Sequence, residues 1–235
     1  MSRQKHDLNT VDPYYAQWGD WEMKPWNRAR KNRKLIFKSN FSPTGIVNDW
    51  LADGVSVESK NNCAVVTLAP EDEASGREWG LLWAKTAFSQ PLAVEVEFTL
   101  DAKGPHDANI FWGQKEPSKE NLGKEQECYM AGYFGWGGKA CGFERASDWH
   151  NTGITGVLNP RPGVKRAGTW IVYNKRQYMY LDGKMVMFSE MMENPPASGY
   201  LSLGVYMSKV KYHSVTVFKL RPAKIGLQKI MRVGS

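Results

Sequence analysis

Apolar and polar side chains alternate along Leu92–Leu100, LAVEVEFTL, so that Val94, Val96 and Phe98 point one way and Glu95, Glu97 and Thr99 the other. Strict alternation marks a β-strand with one buried face. The same period returns in Gly199–Met207, where Leu201, Leu203, Val205 and Met207 alternate with Tyr200, Ser202, Gly204 and Tyr206. Shorter runs predict strands at Leu35–Phe41, Val55–Glu58, Ala64–Leu68, Gly80–Lys85, Ala108–Gln114 and Lys211–Leu220. Pro43 and Gly45, Lys103-Gly104-Pro105 and Asn194-Pro195-Pro196 punctuate them as turns, and Asn48-Asp49-Trp50 reads as a short or helical turn. No segment sustains a 3.6-residue apolar stripe.

Two hairpins stand out. Glu127–Trp136 and Lys139–Ala146 flank Gly137-Gly138, which suits a two-residue turn because glycine reaches positive φ without a Cβ penalty. That turn sets Trp136 opposite Lys139, Phe134 opposite Cys141, Tyr133 opposite Gly142 and Ala131 opposite Glu144. Met130, Phe134, Cys141 and Phe143 then form a core face. Glu127, Tyr129, Tyr133 and Glu144 form the other, with Ala131, Gly135 and Gly142 leaving room for a polar ligand. In the second hairpin, Asp182-Gly183 joins Tyr178–Leu181 to Lys184–Phe188 and sets Tyr180 opposite Met185, Tyr178 opposite Met187 and Met179 opposite Val186. Between the hairpins, Ser147–Gly168 reads as a long glycine-rich loop, a common place for function. Roughly twelve short strands with turn signals between them predict an all-β fold, a two-sheet antiparallel β-sandwich of jelly-roll type. Its expected core includes Val94, Val96, Phe98, Met130, Phe134, Phe143, Leu201, Leu203 and Val205.

Composition narrows the picture. At 235 residues, 42% of them hydrophobic, the chain has material for one large core. The expected layout is an N-terminal extension over residues 1–34 packed on the body, a jelly-roll domain over 35–220, and a basic C-terminal tail over 221–235. Much of the net charge of +7 lies at the ends, in Arg28, Arg30, Lys31, Arg33 and Lys34 and in Arg221, Lys224, Lys229 and Arg232. With no zinc-finger spacing or recognition-helix pattern, nucleic acid is not the expected partner. No apolar run reaches the ~18–20 residues that would cross a bilayer. No signal peptide is visible, which leaves a cytoplasmic protein or one whose leader has been removed. Cys63, Cys128 and Cys141 are too few and too scattered for a disulfide framework or a zinc site, and free thiols are expected.

Three stretches resemble the concanavalin A-like lectin/glucanase jelly rolls: LIFKSNFSPTGIVNDW, YMYLDGKMVMF and GYLSLGVYMSKVKYHSVTVFKL. Within that superfamily the look is nearest to the bacterial domains of the 3-keto-disaccharide hydrolase-like and YesU-like groups. The resemblance implies breakdown or binding of polysaccharide. Family members with structural calcium offer Asp near the first strand and before the last, whereas this chain has Lys38-Ser39-Asn40 and His213-Ser214. No cofactor is therefore predicted, and calcium lacks its ligands. The Glu-x-Asp-x-x-Glu strand of the glucanases is also absent.

The candidate chemistry is that of a carbohydrate-active protein, a glycoside hydrolase or polysaccharide lyase acting in a cleft on one sheet face. A lyase takes the proton α to a uronate carboxylate with Tyr or His, while a cation neutralises that carboxylate. Tyr129, Tyr133, His150 and Glu144 are the candidate catalytic residues, and Trp112, Glu127, Trp136, Lys139, Arg145 and Trp149 the candidate substrate-binding residues. Arg145, Lys139 and the basic balance tilt the expectation toward an acidic glycan. Glu95 and Glu97, ~7 Å apart on one strand, are a second carboxylate pair. The alternatives are a non-catalytic carbohydrate-binding module, whose aromatics stack on sugar rings, and a purely structural sandwich.

Overall fold

A computed structural model describes residues 33–220 apart from 102–106, 119–127, 147–148, 157, 174 and 191–194. Residues 1–32 of the extension expected over 1–34, the tail over 221–235 and Glu127 lie outside the described residues, while Arg33 and Lys34 begin the first strand. Two antiparallel sheets face each other. One runs β13 (Lys184–Glu190), β12 (Arg176–Leu181), β11 (Lys165–Tyr173), β6 (Leu92–Leu100), β15 (Val210–Leu220), β4 (Cys63–Leu68) and β3 (Val55–Lys60). β1 (Arg33–Ser39) also pairs with β15, beside the stretch that β4 leaves unpaired. The other runs β10 (His150–Ile154), β9 (Ala140–Arg145), β8 (Tyr129–Gly135), β7 (Ala108–Gln114), β14 (Ser198–Tyr206), β5 (Trp79–Ser89) and β2 (Trp50–Asp53). The sandwich expected from the strand pattern is the fold observed.

Two short helices interrupt the strands, α1 (Pro43–Asp49) and α2 (Pro70–Ala74). α1 begins where Ser42 Oγ accepts the Gly45 N–H at 3.1 Å and Pro43 supplies a preset φ. It extends the short or helical turn expected at Asn48-Asp49-Trp50 back to Pro43.

Alternation builds the core. Val94, Val96 and Phe98 of β6 meet Leu201, Leu203 and Val205 of β14 and Phe134 and Phe143 of the β8–β9 hairpin, each at most 2% exposed. Tyr212 of β15 crosses the sandwich to donate its hydroxyl to Gly204 O at 2.8 Å, which ties the two sheets together with a buried polar contact.

The β8–β9 hairpin departs from its expected register. The turn occupies Trp136–Lys139 rather than two glycines, with Trp136, Gly137 and Gly138 at φ of 50°, 81° and 75°. Next to it Gly135 does face Ala140, as expected. A bulge then intervenes at Tyr133-Phe134, with Phe134 at φ 66°. Beyond it Gly132 faces Gly142, Ala131 faces Phe143, Met130 faces Glu144 and Tyr129 faces Arg145. The extra residue turns Tyr129, Ala131 and Tyr133 into the core and Met130 out of it. The β12–β13 hairpin behaves alike: Tyr180 faces Met185 as expected, but a bulge sets Met179 opposite Met187 and Tyr178 opposite Phe188. The stretch expected as a loop over 147–168 contains β10 and the start of β11.

Candidate functional site

The outer face of the second sheet is concave and holds a cleft of about 640 Å³ that crosses β9, β8, β7, β14 and β5. Leu81, Phe111 and Met130 floor it, part of a separate apolar layer with Trp83, Cys128 and Ala146 on which Trp79, Trp136 and Tyr200 pack. Glycines keep the floor low. A β-carbon at Gly204 would stand 2.7 Å from the Phe111 ring, and one at Gly142 would stand 2.3 Å from the Trp136 ring. Gly132 and Gly142 thus form a bed on which the Trp136 indole lies. Trp149, 46% exposed, and Tyr206, 37% exposed, complete an aromatic rim.

Polar groups converge on this surface. The Trp136 indole N–H donates to Glu144, whose carboxyl is nonetheless pushed up from the usual range because burial disfavours its charge. Asp107, one residue before β7, is pushed up to about 8, first by burial and then by the charge of Glu144. Glu144 therefore ionises first and opposes the second ionisation. The Asn109 amide bonds one Asp107 oxygen, while Asp107 Oδ1 and Asn109 Oδ1 have no partner. At the other end Tyr206 donates to Glu78 Oε2 at 2.6 Å. Among the described residues the cleft lining contains no Lys, Arg or His.

Of the residues expected from sequence, the cleft brings together Trp136, Glu144 and Trp149. Tyr129, Tyr133 and Trp112 are instead 0% exposed in the sandwich core. The bulge turned the tyrosines inward, and burial raises the Tyr133 hydroxyl well above the usual range. Trp112 donates its indole N–H to Phe88 O at 2.9 Å as an interior residue. His150 faces Arg145 across β10 and β9, and Arg145 faces Tyr129, so both lie on the side of the sheet away from the cleft. Lys139 is exposed on the hairpin turn and does not line the cleft. The candidate tyrosines, His150 and Arg145 therefore do not come together in the cleft. Glu95 and Glu97 lie on the other sheet, where Glu95 pairs with Arg33 and Glu97 with Lys165 at 2.9 Å. The Lys165 hydrogen bond, with help from Ser214, lowers Glu97 from its ordinary value.

Alternation could have placed Asn109 and Phe111 opposite in sense to Ile110 and Trp112, and Tyr206 beside Gly204 on the small-residue face of β14. Asp107 gave no such signal, because it precedes its strand. Among the described residues no three His, Cys, Asp or Glu side chains gather as a metal site. Where the resemblance would put calcium, Ser39 Oγ accepts the Trp50 indole N–H at 3.0 Å. At the other such position His213 sits 3.2 Å from Cys63 Sγ and 2.8 Å from Thr99 Oγ1. These groups do not fit a hard cation.

No protein-family model matches the chain, and no curated protein matches it in sequence. Solved structures do match it. A Bacillus subtilis protein of unknown function with a galectin-like fold aligns at TM-score 0.64 and 10% identity, covering 80% of this chain and 100% of that one. The carbohydrate-binding module CBM66 from Bacillus subtilis aligns at 0.57 and 11%, covering 72% and 96%. LamA from Z. galactanivorans, in complex with laminaritriose and laminaritetraose, aligns at 0.55 and 12%, covering 79% and 99%. The fold is thus a concanavalin A-like, galectin-like jelly roll.

Proposed function

We propose that the concave face of the second sheet is an oligosaccharide-binding cleft. The observation that carries this is the Trp136 indole, laid on Gly132 and Gly142 with its N–H on Glu144. A sugar ring stacks its C–H face on such a platform while neighbouring carboxylates and amides take its hydroxyls. Support comes from the neighbours in fold, which include both a carbohydrate-binding module and a protein solved with bound glucan fragments. The lining carries Glu78, Asp107 and Glu144 and no described cation, so neutral glycans suit the cleft better than the acidic ones expected from the chain's overall charge.

Hydrolysis is the second reading, favoured by the raised Asp107 and Glu144 carboxyls in one cleft. Asp107 would give its proton to the leaving glycosidic oxygen, and ionised Glu144 would take one from the water that adds to the anomeric carbon. The test is calorimetric titration and product analysis over neutral and uronic-acid oligosaccharides, with wild type, Trp136→Ala and Glu144→Gln. Binding lost in Trp136→Ala, with no product from wild type, is the expected result. Product formation abolished in Glu144→Gln would establish the hydrolase instead. Absence of binding to any glycan would reject both readings.

A further inference from the structure

The end of the cleft at the start of β7 holds two acceptors without donors. Asp107 is 7% exposed and Asn109 6%, both line the cleft, and their Oδ1 atoms make no hydrogen bond among the described residues. Buried acceptors are rarely left unmet, and each one unmet is destabilising. Here the Asn109 amide is already spent on Asp107, so once Asp107 is ionised the pair offers only acceptance to whatever arrives. Sugar hydroxyls could supply single donors. The surrounding charge asks for more, because Glu144 adds a second carboxylate and no described lining residue is cationic.

Resting on the glycan-binding reading above, we propose that Asp107 and Asn109 form a subsite for a protonated primary amine carried on a sugar ring, so that the ligand is a glycan containing free amino sugar. An ammonium has three donors and no acceptor, which matches Asn109 Oδ1 and an ionised Asp107, both of which can only accept. It also supplies the positive charge the cleft lacks, in a desolvated place where charge-assisted hydrogen bonds are at their strongest. An N-acetylated sugar brings one N–H and no charge, and a plain hydroxyl brings one donor, so neither can take the place of the Asp107 proton.

Proton traffic gives the subsite its own signature. With no ligand Asp107 holds its proton more tightly than an ordinary carboxyl, its charge disfavoured by burial and by Glu144. Among the described residues, the groups that feel Asp107 include Glu144 and Cys141 on β9, Tyr206 on β14 and Tyr212 on β15, none of them a cation. An arriving ammonium favours the ionised carboxylate, so binding of the amine releases a proton to the buffer. A neutral sugar releases none.

The experiment uses the full chain and calorimetry at pH 7 in two buffers of different ionisation enthalpy. The probes are glucosamine, galactosamine and mannosamine and the β1,4-linked glucosamine tetramer, each against its N-acetyl and hydroxyl counterparts, with cadaverine as an amine lacking a sugar. The expected result is that at least one amino sugar binds about tenfold or more tightly than both counterparts and releases protons. Asp107→Asn and, separately, Asn109→Ala should bring that ratio toward one. Counterparts that bind as tightly as the amino sugars would overturn the amine subsite and leave the glycan cleft standing. Cadaverine binding as tightly as the amino sugars would overturn the sugar as the source of the amine. If no saccharide binds at all, the glycan cleft itself falls, and the subsite with it.

Discussion

The Trp136 indole rests on Gly142, where a β-carbon would stand 2.3 Å from Trp136 Cη2. Glycine is required there by space and not by backbone, since Gly142 has no positive φ. Gly142→Ala should therefore lift the ring off its bed and weaken glycan binding about tenfold or more, at a cost of about 1–3 kcal/mol in stability. Trp136→Ala should lose as much binding. The double variant should lose no more than Trp136→Ala alone, because both act through one ring. Additive losses in titration calorimetry would mean that Gly142 serves the cleft in some other way.

Phe134 offers a test of the bulge. It is 0% exposed at φ 66°, and the Arg166 guanidinium lies 5.2 Å from its ring centroid. Phe134→Ala keeps a β-carbon, so the backbone strain is unchanged and only packing is lost. Chemical denaturation should show a loss of about 3–5 kcal/mol. A loss below about 1 kcal/mol, typical of surface sites, would place the ring outside the core.

These two residues also mark how far the sequence could be read. Turn chemistry was legible: Gly137-Gly138 and Asp182-Gly183 stand in the two hairpin turns, and the pairs next to them, Gly135 with Ala140 and Tyr180 with Met185, face as expected. The bulges were not. A bulge adds one residue to one strand and reverses every face beyond it. Gly132 and Gly135 bracket the first without showing that a residue is inserted between them, and no glycine or proline stands beside Val186. That single step moved Tyr129 and Tyr133 from the expected ligand face into the core, and Met130 the other way. Straight strands kept their parity, so Leu201, Leu203 and Val205 point inward as the alternation required. The cleft itself depends on five strands from distant parts of the chain, and Asp107 enters it from a position that no periodicity covers.

The thiols should report the packing directly. Cys128 and Cys141 are 0% exposed and burial pushes both up to about 12, whereas Cys63 is 7% exposed beside His213. The thiolate is the reactive form, so Cys128 and Cys141 should be silent toward Ellman's reagent in the folded protein. At most one thiol should titrate under native conditions, and that one should vanish in Cys63→Ser. All three should titrate after denaturation without reductant, since none is in a disulfide. Rapid titration of two or more native thiols would contradict the packing of β8 and β9.

Asp107 should make the stability of the fold depend on pH in the direction opposite to that of a salt-bridged carboxylate. Its folded value of about 8 stands above its ordinary 3.8, so the folded state binds the proton more tightly than the unfolded chain does. The associated stability is fully present below about pH 4 and is lost as pH rises through about 8. Even half of that shift corresponds to about 3 kcal/mol. Asp107→Asn removes the titration while keeping the shape of the side chain. The two proteins should therefore melt together near pH 4. The variant should be the more stable at pH 9, by a margin that grows between these limits, with each 1 kcal/mol raising Tm by about 2–4 °C. Comparing the two proteins at each pH cancels the other titrating groups they share. A difference that stays flat from pH 4 to pH 9 would mean that Asp107 ionises near its ordinary value in the folded state and is hydrated or paired there.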